Sequence, residues 1–123
     1  MKANIALLPG DGIGPEVVGA AVQVLQAIAA KYTHQFSMQP YLIGGCAIDA
    51  HGQALPEDTQ QACLAADAVL LGAVGGPQWS DPKAAVRPEQ GLLQLRALLN
   101  VFANVRPVKV YARTAQFSPV KAE

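Results

Sequence analysis

One segment of the chain combines a carboxylate, two branched apolar side chains and a guanidinium at helical spacing. Within residues 87–96, positions i, i+3, i+4 and i+7 are occupied by Glu89, Leu92, Leu93 and Arg96. Side chains at this spacing lie on one face of a helix. Such a face could surround a small molecule that carries an alkyl group and a carboxylate. Taken singly, the leucines are typical of a core and the arginine of a solvated surface, so the hypothesis depends on the combination.

A second arginine, Arg106, lies in the mainly apolar segment Phe102–Pro107, which is typical of an extended strand. An unpaired buried charge is costly, so an arginine in such a strand requires an anion. Guanidinium binds carboxylate through paired, charge-assisted hydrogen bonds that lysine cannot reproduce. The anion is either the carboxylate of a ligand or an Asp or Glu of the same protein, and the sequence leaves both open.

Two glycine-rich segments follow apolar runs, LPGDGIGPE at Leu8–Glu16 and GAVGGPQW at Gly72–Trp79. Glycines let the backbone approach a ligand, and a helix N-terminus favours anions. The first segment is not the dinucleotide fingerprint, because Pro15 takes the third glycine position, and it lacks the Gly-Lys-Ser/Thr of a P-loop. Each segment also has a structural alternative. The first is then a tight turn from strand to helix, and the second a flexible turn stabilised by Trp79.

The sequence predicts neither a metal centre nor a catalytic group. His34 and His51 are isolated, and Cys46 and Cys63 lack the spacing of a zinc site. The remaining acidic candidates are interpreted as solvated helix charges or caps: Asp49, Glu57 and Asp58. We therefore expect binding groups without a general base, a nucleophile or metal ligands.

The hydrophobic pattern predicts the elements that must position these residues. Apolar runs at Asn4–Leu8 and Ala68–Leu71 are typical of buried strands, and alternation over residues 36–42 predicts a strand between them. Helices are predicted at three places: from Pro15 to about Tyr32, from Pro56 onward, and from Pro88 to about Leu99. This order predicts an α/β fold with a mainly parallel sheet and flanking helices.

The predicted architecture is incomplete. Residues 73–88 are expected to form a long loop of a kind that is uncommon unless it is functional. Residues 102–111 are expected to be extended, and no helix or strand is expected after Tyr111. Because three helices would cover only part of the sheet, we expect this sequence to belong to a longer chain.

Composition and charge exclude several classes of protein. Hydrophobic residues make up 51% of the 123 residues and charged residues 15%, which excludes intrinsic disorder. A net charge of +0 argues against a nonspecific nucleic-acid or membrane binder. No apolar stretch is long enough to span a membrane, and the first residues do not have the pattern of a leader sequence. Two cysteines are too few for a disulfide framework and predict free thiols in a reducing cytoplasm.

The neutral sum conceals a division of charge along the chain. Residues 1–82 carry two lysines against seven carboxylates, a formal charge of −5. Residues 83–123 carry seven basic residues against two carboxylates, a formal charge of +5. The basic part, which includes both arginines considered above, indicates contact with something anionic.

Together these segments resemble the N-terminal part of the β-decarboxylating isocitrate/isopropylmalate dehydrogenase family, and its isopropylmalate-specific members most. The resemblance covers essentially the whole chain and rests on five segments: Leu8–Glu16, Gly44–Asp49, Leu70–Trp79, Arg87–Arg96 and Phe102–Pro107. The glycine turn is common to the wider family. The segment RPEQGLLQLR discriminates, because isocitrate-specific members have polar groups in place of Leu92 and Leu93.

The resemblance implies a fold, a reaction and a set of roles. Such an enzyme oxidises 3-isopropylmalate with NAD and releases carbon dioxide, giving 4-methyl-2-oxopentanoate for leucine biosynthesis. It works as a cytoplasmic homodimer with Mg²⁺ or Mn²⁺. By resemblance, Arg96 and Arg106 bind substrate carboxylate and Leu92 and Leu93 contact the isopropyl group. The implied NAD-binding segment, with its last residue near the nicotinamide, is Gly76, Pro77, Gln78, Trp79, Ser80, Asp81, Pro82, Lys83, Ala84, Ala85, Val86, Arg87, Pro88 and Glu89.

The resemblance also implies groups that this chain lacks. The catalytic tyrosine and lysine, a third substrate arginine and the metal-binding aspartates are expected beyond Glu123, so we expect no turnover by this chain alone. Residues 1–100 are expected to form the first part of the cofactor-side α/β domain, and residues 101–123 to begin the substrate and dimerisation domain. Two alternatives stay open: a related dehydrogenase for tartrate, malate or homoisocitrate, and a stand-alone dicarboxylate-binding module.

Overall fold

A three-stranded parallel sheet forms the centre of the chain in the computed structural model, which describes residues 1–119. The strands are β1 (Lys2–Gly10), β2 (Gln35–Pro40) and β3 (Ala68–Ala73). Their order is β2-β1-β3, and Ile5 of the central strand pairs with Met38 on one side and Ala68 on the other. The predicted fold class, a parallel sheet with flanking helices, is confirmed.

Within residues 1–119, four α-helices accompany the sheet: α1 (Gly14–Tyr32), α2 (Gly45–His51), α3 (Glu57–Ala65) and α4 (Pro88–Leu98). The three predicted helices are present near their expected bounds, and α2 is additional. The strand predicted over residues 36–42 ends at Pro40, because the chain then turns to bury Ile43 completely. The expectation of no helix after Tyr111 is wrong, since Ala112–Phe117 forms a short 3₁₀ helix. Residues 120–123 lie outside the described residues.

The two faces of the sheet are covered by different helices. Side chains alternate along β1, so Ala6 and Leu8 share a face that Leu7 does not. On the face of Ala6 and Leu8, the core is Ala6, Leu8, Ile43, Leu55, Cys63 and Leu95. Helix α1 packs against β1 and β3 and buries Val18 outside this cluster. The helix α4, which carries the candidate ligand-binding residues, is therefore fixed to the sheet through Leu95.

The chain after α4 leaves the sheet. Residues 102–111 have no regular secondary structure and pair with no strand among residues 1–119, so their extended conformation stays a prediction. Phe102 is fully exposed and Val105 is 82% exposed. No helix in the described part of the chain is both long enough and apolar enough to cross a membrane.

Candidate functional site

The loops that follow the three parallel strands meet at one edge of the sheet, where open α/β sheets bind ligands. Asp11 lies at the centre of this edge and is only 3% exposed. Its carboxylate accepts three backbone N–H groups: Gly45 and Gly75 on Oδ2 and Cys46 on Oδ1, each at 2.7 Å. These donors replace the hydration that the carboxylate loses on burial. One side chain thus joins the loops after β1, β2 and β3.

Sequence reasoning missed Asp11. The only signal was an acidic residue between Gly10 and Gly12 in an otherwise apolar turn. Its three hydrogen-bond partners are backbone groups 34, 35 and 64 residues away, which no spacing pattern marks.

The glycines of this edge allow close approach of the backbone. Gly10 and Gly44 have φ values of +69° and +82°, a region that side chains disfavour. A Cβ at Gly10 would overlap the carbonyl of Ala73, and one at Gly44 would overlap the carboxylate of Asp11. Leu8–Glu16 therefore forms the tight strand-to-helix turn that the sequence allowed as an alternative to a ligand-binding loop, with Pro15 in the first turn of α1.

The loop after β3 is attached to α2 by Trp79. This residue ends a short 3₁₀ helix, Pro77–Trp79, and its indole Nε1–H donates to Asp49 Oδ1 at 3.0 Å. The ring covers Gly45 so closely that a Cβ there would overlap it. Asp49 is exposed, as interpreted from the sequence, but it is also the hydrogen-bond acceptor that holds the indole.

Helix α4 brings Glu89 to the same edge. Oε1 of Glu89 lies 3.2 Å from the place that a Cβ would occupy on Gly75, whose N–H is held by Asp11. The helix begins where the Arg87 N–H donates to Gln90 Oε1 at 3.0 Å. Arg87 Nε lies 3.7 Å from Glu89 Oε2, with the two side chains 44% and 56% exposed, so this ion pair contributes little stability.

The remaining candidate residues of α4 face outward. The helix buries Pro88, Gly91 and Leu95, whereas Leu93 is 63% exposed, Leu92 is half-buried and Arg96 is exposed. Arg96 borders an open groove of about 770 Å³, which it shares with Val69, Leu71 and residues 101–105. Leu93 is therefore not a core residue of the described structure, and the guanidinium of Arg96 is accessible.

Arg106 is exposed in the described structure, whereas the expected need for an anion depends on burial. Its segment joins no strand, so the guanidinium remains exposed to water. Its Nε–H donates to Asn104 Oδ1 at 3.4 Å. Among residues 1–119 it forms no ion pair with a carboxylate. An Asp or Glu of the same protein, one of the two anions that the sequence allowed, therefore does not bind Arg106 in this part of the chain.

The thiols and acidic groups offer no reactive centre in the described structure. Both cysteines are free, as predicted. Burial raises the pKa of the Cys46 thiol above its ordinary value of 9.0, and the nearby Asp11 carboxylate raises it further. Burial also raises the pKa of Cys63, so neither thiol is an activated nucleophile. No group of three His, Cys, Asp or Glu residues within 1–119 is arranged to hold a metal ion.

The chain has a parallel sheet, helices on both faces of the sheet, and glycine-rich loops at its carboxyl edge. These features are typical of the α/β proteins that bind ligands at that edge. Comparison with known families makes the class specific. The sequence profile of the isocitrate/isopropylmalate dehydrogenase family matches residues 4–123. The chain belongs to this family.

Two curated proteins with high sequence identity to this chain are named 3-isopropylmalate dehydrogenase. The one from Bacillus licheniformis is 58% identical over 123 residues, which cover 100% of this chain and 33% of the relative. The one from Anaeromyxobacter dehalogenans is also 58% identical, over 100% of this chain and 35% of the relative. The chain thus spans about a third of the length of these relatives.

Solved structures show the same fold. A β-decarboxylating dehydrogenase from Thermococcus kodakarensis in its apo form is 31% identical with a TM-score of 0.60, over 79% of this chain and 26% of that one. An isocitrate dehydrogenase from Methylococcus capsulatus is 30% identical with a TM-score of 0.59, over 78% of this chain and 26% of that one.

Proposed function

We propose that the protein containing these residues oxidises 3-isopropylmalate with NAD and releases carbon dioxide, giving 4-methyl-2-oxopentanoate for leucine biosynthesis. The observation that carries the proposal is the identity of 58% over the whole chain with relatives named 3-isopropylmalate dehydrogenases. The exposed apolar and basic surface of α4 supports it. We propose with it the homodimer and the cytoplasmic location that the resemblance implies.

Substrate recognition is assigned to four residues. Arg96 and Arg106 bind the carboxylates of 3-isopropylmalate, and both guanidinium groups are exposed and unpaired with carboxylate in the described structure. Leu92 and Leu93 contact the isopropyl group. Burial of apolar carbons contributes about 0.8 kcal/mol each, so this contact supplies about 2 kcal/mol. A substrate with a further carboxylate at this place is rejected, because its charge would be stranded against leucine.

NAD is assigned to Gly76–Glu89. The segment begins beside the Asp11-bound Gly75 and ends on Glu89, whose carboxylate is 56% exposed beside the same glycine. A carboxylate there attracts the positively charged nicotinamide ring of oxidised NAD. When bound, NAD accepts the hydride from the hydroxyl-bearing carbon of the substrate.

The divalent metal does not fit the described residues. Mg²⁺ and Mn²⁺ prefer several oxygen ligands, and no suitable cluster of acidic side chains occurs within 1–119. For the same reason we expect residues 1–123 alone to give no turnover.

The test is a substrate panel assayed with the complete reading frame that contains this chain. NADH formation and carbon dioxide release are measured with 3-isopropylmalate, malate, tartrate, homoisocitrate and isocitrate. We expect the highest kcat/KM for 3-isopropylmalate. A preference for a substrate without a branched alkyl group would overturn the assignment of Leu92 and Leu93. Saturable binding of a dicarboxylate by the folded 123 residues, without NAD-dependent turnover by the complete protein, would favour a binding module instead.

A further inference from the structure

Helix α2 presents a flat surface and a hydrogen-bond acceptor on one face. Gly45 and Asp49 are four residues apart, so they lie one above the other on the helix. Gly45 has no side chain to project, and Asp49 carries an exposed carboxylate. Trp79 matches both features, because its ring lies on Gly45 while its Nε1–H reaches Asp49 Oδ1 at 3.0 Å.

This surface of α2 is itself fixed to the sheet. The first two N–H groups of the helix, those of Gly45 and Cys46, are bound by the buried carboxylate of Asp11. The helix therefore cannot rotate without breaking both hydrogen bonds, so the surface that Trp79 contacts keeps a constant position relative to the edge of the sheet.

Beyond Gly75, whose N–H is bound by Asp11, the loop that carries Trp79 has otherwise local hydrogen bonds among the described residues. Ser80 Oγ donates to the carbonyl of Gly76 at 2.9 Å, and the N–H groups of Lys83 and Ala84 both reach Asp81. The hydrogen bond from Trp79 to Asp49 spans 30 residues and connects the loop to a helix. Without it, the loop would have to be ordered when a ligand binds, at a cost in free energy.

We infer that Trp79 and Asp49 are positioning residues that hold the segment Gly76–Glu89 in its ligand-binding shape, with Trp79 turned toward α2 and away from the cofactor. This inference rests on the proposed assignment of the segment to NAD. It assigns Trp79 a different role from a direct cofactor contact, because one face of its ring lies on Gly45 and its indole N–H is bound by Asp49.

The test uses the complete protein with substitutions on both sides of the contact. Asp49→Ala removes the acceptor, whereas Asp49→Asn keeps an oxygen that accepts the indole N–H. Gly45→Ala puts a methyl group where the ring lies. Glu57→Ala, which removes an exposed carboxylate from the first turn of α3, is the control for charge. Gly19→Ala, whose Cβ would meet nothing within 4 Å, is the control for glycine. The difference in emission between each protein and its Trp79→Phe counterpart isolates the fluorescence of Trp79.

We expect Asp49→Ala and Gly45→Ala to shift the Trp79 emission to the red and to raise the KM for NAD about fivefold, the effect of losing one hydrogen bond to a charged group at a partly exposed site. The KM for 3-isopropylmalate and kcat should change less than about twofold, and Asp49→Asn should restore the KM for NAD. Both controls should match the unsubstituted protein.

Two results would overturn the inference while leaving the proposed function in place. One is a red-shifted Trp79 in Asp49→Ala with an unchanged KM for NAD. The other is a raised KM in Trp79→Phe with no effect of Asp49→Ala, which would assign Trp79 to direct cofactor contact. An unsubstituted protein that does not turn over NAD would overturn the proposed function, and the inference with it.

Discussion

The carboxylate of Asp11 accepts the backbone N–H of Gly75 at 2.7 Å, although the two residues are 64 positions apart in the sequence. The bond connects the turn after β1 with the loop after β3, and Gly75 in turn lies beside Glu89. A buried charge thereby controls the position of a loop to which we assign NAD.

Asp11→Ala should destabilise the protein by about 3 kcal/mol or more, because it leaves three backbone N–H groups without their acceptor in a buried site. Chemical denaturation measures the change in unfolding free energy. Asp67→Ala is the control: its exposed carboxylate accepts one backbone N–H, that of Asn4, and its loss should cost less than about 1 kcal/mol. Equal effects of the two substitutions would contradict the central role of Asp11.

Gly10→Ala should be much more damaging than Gly12→Ala. Both glycines have positive φ, so each substitution carries a backbone cost of about 1 kcal/mol. At Gly10 the new methyl group also overlaps the carbonyl of Ala73, whereas at Gly12 the nearest atom, the Gly75 carbonyl oxygen, is 3.9 Å away. Thermal denaturation of both variants measures the difference. Equal melting temperatures of the two variants would contradict the close approach of Gly10 to the carbonyl of Ala73.

The free energy of unfolding should fall as the pH rises above 9. Burial raises the pKa of both thiols from 9.0, and the Asp11 carboxylate raises that of Cys46 further. The folded state then holds these protons more tightly than the unfolded state. The resulting contribution to the free energy of unfolding is complete below pH 9.0, the thiol pKa of the unfolded state. It is lost as the pH rises through the higher pKa values of the folded state.

Urea denaturation between neutral pH and about pH 10 measures this slope, since thiols titrate within that range. The Cys46→Ala/Cys63→Ala double variant should show a shallower alkaline decline, whatever its stability at neutral pH. A slope unchanged by the double substitution would assign the decline to other groups.

Leu93→Ala should impair substrate binding and leave the fold intact. The side chain is 63% exposed, so its removal opens no cavity in the described structure. We expect the KM for 3-isopropylmalate to rise about tenfold, because a contact with the isopropyl group is lost. Leu95→Ala, two residues on and 4% exposed, should instead destabilise the protein by about 2–5 kcal/mol. A Leu93→Ala variant with an unchanged KM would remove Leu93 from the proposed pocket.

Hydrophobic patterning predicts the strands and the longer helices of this fold, because their residues pack through regular periods that are visible in the sequence. Helix α2 was missed for a physical reason. It has seven residues, begins with Gly45, and derives its first hydrogen bonds from Asp11 rather than from a local cap. A helix held by a distant side chain carries little local signal.

The same limit explains what the sequence leaves open at the candidate site. The apolar residues around Arg106 do predict an extended backbone, but a strand also needs a partner, and the pattern does not say whether one is present. For Trp79 the pattern indicates an aromatic beside a glycine-rich loop. Which way the ring turns is decided by Gly45 and Asp49, residues that lie 34 and 30 positions earlier in the sequence.

The convergence of three loops on Asp11 also determines where the chain can be lengthened. An insertion next to Gly10, Gly45 or Gly75 would pull a backbone N–H or the carboxylate itself out of reach, and every loop at the edge would be released together. Residues 81–86 are different, because the hydrogen bonds described there close within the loop itself. An insertion in that stretch would leave the hydrogen bonds of Asp11 in place but would interrupt the segment that we assign to NAD, so it should impair cofactor binding more than folding.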